Sequence, residues 1–136
     1  MEESSDGIGG VGDGQLTDDE VRLSLPAEPE FARLARLTVG GLATRVGFDY
    51  DEVEDLRIAV SEACSLLIGP ERSAGTVTLV FQLRADGMQI DVTGGRRPVP
   101  IPADPLSGQI LGAVVDRHDV GPDGVRLYKR RSDGAA

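Results

Sequence analysis

The chain has 136 residues and a formal charge of -9, with 40% apolar and 4% aromatic residues and no Trp. That composition supplies one modest core rather than two. One Cys, Cys64, excludes an internal disulfide, one His excludes a multi-histidine metal site, and no apolar run reaches the ~20 residues of a membrane span.

The acids are concentrated at the start. The first twenty residues carry Glu2, Glu3, Asp6, Asp13, Asp18, Asp19 and Glu20 and no base, whereas the rest holds 16 acids and 14 bases. Residues 1–18 therefore read as a disordered, acidic, glycine-rich tail, since they offer almost nothing apolar to offset ordering entropy. Residues 19–131 read as a single domain and 132–136 as a flexible tail. The arginines are scattered apart from Arg96-Arg97 and Lys129-Arg130-Arg131, so no concentrated basic surface points to direct nucleic-acid binding. With no signal-peptide pattern at the start, the expected location is the cytoplasm.

Val21, Leu23 and Leu25 alternate with Arg22 and Ser24, the period of a half-buried strand closed by Pro26 and Pro29. Glu28 to Val46 reads as a helix whose inner face is Phe31, Leu34, Ala35, Thr38, Leu42 and Val46. Leu37 and Val39 fall off that stripe, as a homodimer or partner surface or as extra packing. Gly40-Gly41 weakens this helix by roughly 1 kcal/mol per glycine relative to Ala, and Gly47 stops it. Asp49 reads as an N-cap with Glu52 as the return partner of a capping box. The helix it opens runs to about Ile68, with Leu56, Ala59, Val60, Ala63 and Leu67 as its stripe, and ends at Gly69-Pro70.

Residues 75–84 are rich in β-branched residues and read as a strand. Asp86-Gly87 is a hairpin signal, and Met88 to Thr93 is the returning strand. Residues 94–105 read as a loop and 106–116 as a short helix. Val120 begins a weak strand, Gly121 to Gly124 turns, and Val125 to Tyr128 closes the series. The order β-α-α-β-β-α-β-β fits an α+β fold, a two-layer α/β sandwich with helices on one face of a mixed, mostly antiparallel sheet.

P-loop, G-x-G-x-x-G, H-E-x-x-H and G-x-S-x-G patterns are absent. On the second helix Glu62 lies beside the apolar stripe without being forced into the core. By periodicity alone it is a solvated surface glutamate; under a covering ligand it could serve as a general base. Cys64 sits on an apolar helix edge, where a free cysteine packs as a small hydrophobe rather than acting as a nucleophile with His118. His118-Asp119 follows the last helix, where a His meets the carbonyl end of the dipole.

The run Leu56-Arg57-Ile58-Ala59-Val60-Ser61-Glu62-Ala63 resembles the helix motif of RsbW-like anti-sigma factors that are also serine kinases, within the histidine-kinase-like ATPase superfamily. The element order resembles that fold, with ATP bound between the helices and a loop-helix lid. The resemblance implies Glu62 as catalytic base and places a nucleotide site at Glu62, Leu66, Gly94, Gly95, Arg96 and Gly108. Three of the family's contacts depart from pattern. Leu66 stands where an asparagine holds the nucleotide's Mg²⁺, and a leucine has no oxygen to offer a hard cation. Gly94 stands where an aspartate reads adenine, with Arg96 and Pro98 at the positions of the following glycines. The phosphate lid is reduced to Ser107-Gly108-Gln109-Ile110-Leu111, with one glycine.

On this resemblance the chain is an anti-sigma regulatory factor. It sequesters an alternative sigma factor, is controlled by an anti-anti-sigma antagonist, and holds ATP weakly or not at all. Mg²⁺ would enter only alongside ATP, and Arg96-Arg97 would supply part of the charge that phosphates need. The alternative is an active ATP-dependent serine kinase that phosphorylates its antagonist, with Glu62 as base.

Overall fold

The computed structural model describes residues 19–68, 75–94 and 105–132. The acidic tail 1–18, the Gly69-Pro70 stop, residues 95–104 and residues 133–136 lie outside the described residues. The elements follow the expected order: strand β1 (Asp19–Pro26), helices α1 (Ala32–Val46) and α2 (Tyr50–Ile68), strands β2 (Thr76–Arg84) and β3 (Gly87–Gly94), helix α3 (Pro105–Val114), and strands β4 (Arg117–Val120) and β5 (Gly124–Arg130). The strands form one sheet in the order β1-β2-β3-β5-β4, with every described pairing antiparallel. The fold is α+β, as the sequence pattern implies.

Period-two alternation explains which face is covered. Val77, Leu79, Phe81 and Leu83 of β2, Met88, Ile90 and Val92 of β3, and Val125 and Leu127 of β5 are all buried against the helices. Their neighbours point to an open face of Thr78, Gln82, Gln89, Asp91, Arg126 and Tyr128. That face is polar, and Arg126 Nε donates to Asp91 Oδ1 at 2.6 Å across it. Gly87 is required where β3 meets β5, because a Cβ there would stand 2.4 Å from the Lys129 carbonyl oxygen.

α2 is the middle helix, packed between α1 and α3 and over β2, β3 and β5. Covered on both flanks and beneath, it buries all five residues of its expected stripe and also Val53, Cys64, Leu66 and Ile68. Its start is a reciprocal capping box. The Glu52 backbone N–H donates to Asp49 Oδ1 and the Asp49 N–H to Glu52 Oε1, both at 2.8 Å.

α1 departs in part from its expected face. A 3₁₀ turn over Pro29–Phe31 precedes it, and its buried residues are Ala35, Val39, Gly40 and Ala43. Leu34 is 45% exposed, and Val39, expected off the stripe, is fully buried. Small side chains at this seam let the helix axis sit close to its neighbours, while Phe31, Leu42 and Val46 of the expected face pack partly buried against the core and Leu34 is left outside. Leu37 is exposed, as its position predicts. α3 ends two residues earlier than expected, and the strand expected from Val120 instead runs from Arg117 to Val120.

Candidate functional site

The site builds on the exposed-to-buried flank of α2. Glu62 is half-buried there, at the border of the core. Its carboxylate oxygen Oε2 accepts a hydrogen bond from the Ser107 hydroxyl of α3. Ser107 is one of two polar or charged residues among the buried described ones, the other being Glu52. Burial of a hydroxyl is tolerated where it is hydrogen-bonded, and a carboxylate is the strongest acceptor it can find.

Four residues along α2, Leu66 is 8% exposed and belongs to the continuous apolar core. Its hydrocarbon offers no lone pair, so the residue present at this position does not fit a Mg²⁺ ion, which needs oxygen ligands. Gly94 ends β3 and pairs with Val77 of β2. Gly108 lies in the first half of α3, and a Cβ there would meet nothing within 4 Å, so no close approach demands a glycine. Gly95 and Arg96 lie outside the described residues. Among the described residues, α2 and α3 are brought together through Glu62, and no hydrogen bond joins Gly94 or Gly108 to it.

Ser107 is the residue that sequence reasoning passed over. It lies within the lid-like stretch, but its partner is 45 residues away. No local pattern in Leu106-Ser107-Gly108 says which way the hydroxyl points.

The far end of α3 is held by a second polar contact. Lys129 Nζ, on β5, donates to the Val114 carbonyl at 2.9 Å and lies 3.4 Å from Asp55 Oδ2 of α2. Asp116, just past α3, accepts the Arg130 backbone N–H at 2.7 Å. Together these fix the helix to β5 and to α2.

The remaining candidates separate from this site. Cys64 is buried, and burial pushes its thiol up to about 11 against the opposing charge of Arg36, which keeps it protonated at neutral pH. That suits packing rather than nucleophilic chemistry. His118 lies within β4 rather than at a helix end, and a Cβ at Gly112 would sit 3.6 Å from its ring. A groove of about 480 Å³ lies along β4 and β5, lined by Arg84, Gln89, Arg117, Arg126 and Tyr128 among others. Arg117 stacks 5.8 Å from the centroid of the Tyr128 ring. Among the described residues, no group of three or more His, Cys, Asp or Glu side chains could hold a metal ion, and no helix is long and apolar enough to cross a membrane.

Comparison with known proteins bears on this helix pair. A family model described as the histidine kinase-like ATPase domain matches residues 25–126. Two similar curated proteins are both named serine-protein kinase RsbW. One, from Bacillus cereus, is 38% identical over 76 residues, covering 54% of this chain and 48% of that protein. The other, from Halalkalibacterium halodurans, is 42% identical over 76 residues, covering 55% and 47%. The chain thus matches about half the length of these relatives. A crystal structure of RsbU and RsbW domains from Mycobacterium tuberculosis superposes with a TM-score of 0.60 at 18% identity, covering 83% of this chain and 32% of that one. It shares the fold.

Proposed function

The chain belongs to the histidine kinase-like ATPase domain family, and within it we propose an anti-sigma regulatory factor that sequesters an alternative sigma factor and is released by an anti-anti-sigma antagonist. Its nucleotide site, in this reading, is weakened. The family match and the similarity to proteins named RsbW support the regulator class. The observation that carries the weakened site is the state of α2: Leu66 is packed in the core where an oxygen ligand would be needed, and Glu62 is engaged by Ser107. A surface that grips a partner needs no metal, whereas phosphoryl transfer rests on metal and positioned charge.

The kinase reading keeps one observation on its side. Glu62 is present, and its carboxylate accepts from a serine hydroxyl, the contact a base makes with an acceptor serine. Two measurements separate the readings. Calorimetry with purified alternative sigma factors of the same genome should give a 1:1 or 2:1 complex without nucleotide. Incubation with labelled ATP and the antagonist protein should transfer no phosphate to serine. Transfer at a catalytic rate would replace the first reading by the second, and failure to bind any such sigma factor would remove it.

A further inference from the structure

We propose that the acidic segment 1–18 docks by charge on the open face of the sheet, over Arg84, Arg117 and Arg130, as a tethered occupant of the groove along β4 and β5. The inference does not depend on the regulator reading. It starts from the register. Residues paired across neighbouring strands share a face, so the ladders arrange the open face in rows. One row runs Glu20, Gln82, Gln89, Tyr128, Arg117, and the next runs Arg22, Val80, Asp91, Arg126, Asp119. A third joins Arg84 to Arg130 through Gly87, which has no side chain to stand between them.

The charges of these rows are unevenly matched. Glu20 is taken by Arg22 at 2.9 Å and Asp91 by Arg126 at 2.6 Å, and Asp119 adds its field to the same Arg126 guanidinium. Arg84 has the Gln82 amide oxygen at 2.9 Å, and Arg117 has the Tyr128 ring. Among the described residues, neither these two nor Arg130 has a carboxylate within ion-pair distance, and all three are exposed. Asp86, beside the β2–β3 turn, is the acid left to this end of the groove.

The sequence supplies the complement. Residues 1–18 carry Glu2, Glu3, Asp6, Asp13 and Asp18 and no basic side chain. They join the fold at Asp19, whose partner on β2 is Leu83, at the end of the sheet where Arg84 and Arg130 stand. Carried one residue further, the register would set Asp18 opposite Arg84. β1 and β4 lie four strand spacings apart, about 19 Å. The six residues from Asp19 back to Asp13 span about 20 Å when extended, so Asp13 reaches Arg117 on the far edge strand. Docking through charge asks for no apolar surface, of which this segment offers little. An exposed ion pair is worth a factor of about two, so three together shift the equilibrium towards the docked form about tenfold. An acidic partner reaching this face competes with a rival already tethered beside it.

The test places a nitroxide on the full chain at Gly10→Cys, the buried Cys64 staying unlabelled, and reads paramagnetic broadening of backbone amides. At about 0.01 M salt, where charges act over about 30 Å, the amides of Arg84, Gln89, Arg117 and Tyr128 should broaden several-fold more than those of α1 on the opposite face. At about 1 M salt that range shrinks to about 3 Å, and the excess should vanish. Arg84→Gln, Arg117→Gln and Arg130→Gln together should lower the excess several-fold. Asp13→Asn with Asp18→Asn should do the same without touching the described fold. No preference for the open face overturns the proposal, as does an excess that persists at high salt or in both sets of charge variants. In a mixture of nitroxide-bearing chains with isotope-labelled chains lacking the nitroxide, the labelled chains should show no excess. Its presence there would mean that the segment docks on a second copy, and would overturn the tethered arrangement. A groove that shows no excess yet binds a poly-glutamate peptide would belong to an acidic partner instead.

Discussion

Glu52 sits where three stretches of chain meet. Its Oε1 accepts the Asp49 N–H that opens α2, and its Oε2 accepts the Ser132 N–H just beyond β5 at 2.7 Å. Desolvation pushes this carboxyl up, but the N–H groups of Asp49 and Ser132, the Ser132 hydroxyl and the Lys129 charge outweigh it and hold the carboxyl below its ordinary range. A lowered value in the folded chain means stability that is whole at neutral pH and is lost as pH falls below the ordinary glutamate value of about 4.3 towards the folded one. Glu52→Gln should therefore melt several degrees lower than wild type at pH 7. The gap should close below about pH 4 in thermal melts followed by circular dichroism. The same scale settles Leu66. Leu66→Asn restores an oxygen but buries an amide in the apolar core, at a cost of ~1–3 kcal/mol without a partner. Calorimetry should show a lower melting midpoint and no gain in Mg-ATP affinity. Tighter binding with unchanged stability would mean the residue faces the cleft. The capping box was legible because both partners lie three residues apart. The Ser132 contact on the same carboxylate was not, because it spans 80 residues.

α1 shows where pattern reading goes astray at the scale of an element. Weighting residues by hydrophobicity draws the inner face through Leu34 and leaves Val39 off it, yet Leu34 is exposed and the fully packed seam is Ala35, Val39, Gly40 and Ala43, with Phe31, Leu42 and Val46 packed partly buried beside it. Close approach selects for small volume, which a hydrophobic stripe does not record. α2 was read correctly because it is covered on both flanks and beneath, so every apolar residue of its stripe is buried whatever its size, and β2 and β3 because period-two alternation leaves one register. The glycine pair in α1 divides along the same line. A Cβ on Gly41 meets nothing within 4 Å, so Gly41→Ala should stabilise the protein by ~0.5–1 kcal/mol through helix propensity alone. A Cβ on Gly40 would lie 2.8 Å from the Arg57 guanidinium, which must move and strain its 3.5 Å pairing with Glu54. Gly40→Ala should gain less than Gly41→Ala or lose stability. Urea denaturation of both single variants and the double checks the ranking, and equal gains would contradict it.

At the scale of the whole molecule, ligands read out as shifts of one cooperative transition. A ligand that binds only the folded chain raises the midpoint in proportion to ln(1 + [L]/Kd). Millimolar Mg-ATP should therefore move the wild-type melting midpoint by less than about 1 °C, while a bound sigma factor should raise it several-fold more. A large shift with Mg-ATP, checked by differential scanning fluorimetry, would favour the kinase. The element order and the single sheet were legible because each element declares its period within a dozen residues. The proposed nucleotide site was legible only as resemblance, because its expected residues lie far apart in sequence on α2, β3 and α3, and contacts such as Ser107 on Glu62 span 45 residues. The sheet order β1-β2-β3-β5-β4 also has a consequence in time. The ribosome releases β1, both long helices, β2 and β3 before β5 exists, so β3 waits with one side of its backbone unpaired. At ordinary elongation rates the wait from Gly94 to Arg130 lasts roughly a few seconds. During it the nascent chain offers other chains a strand edge to join, and the late arrival of β5 both completes the fold and ends that period of exposure.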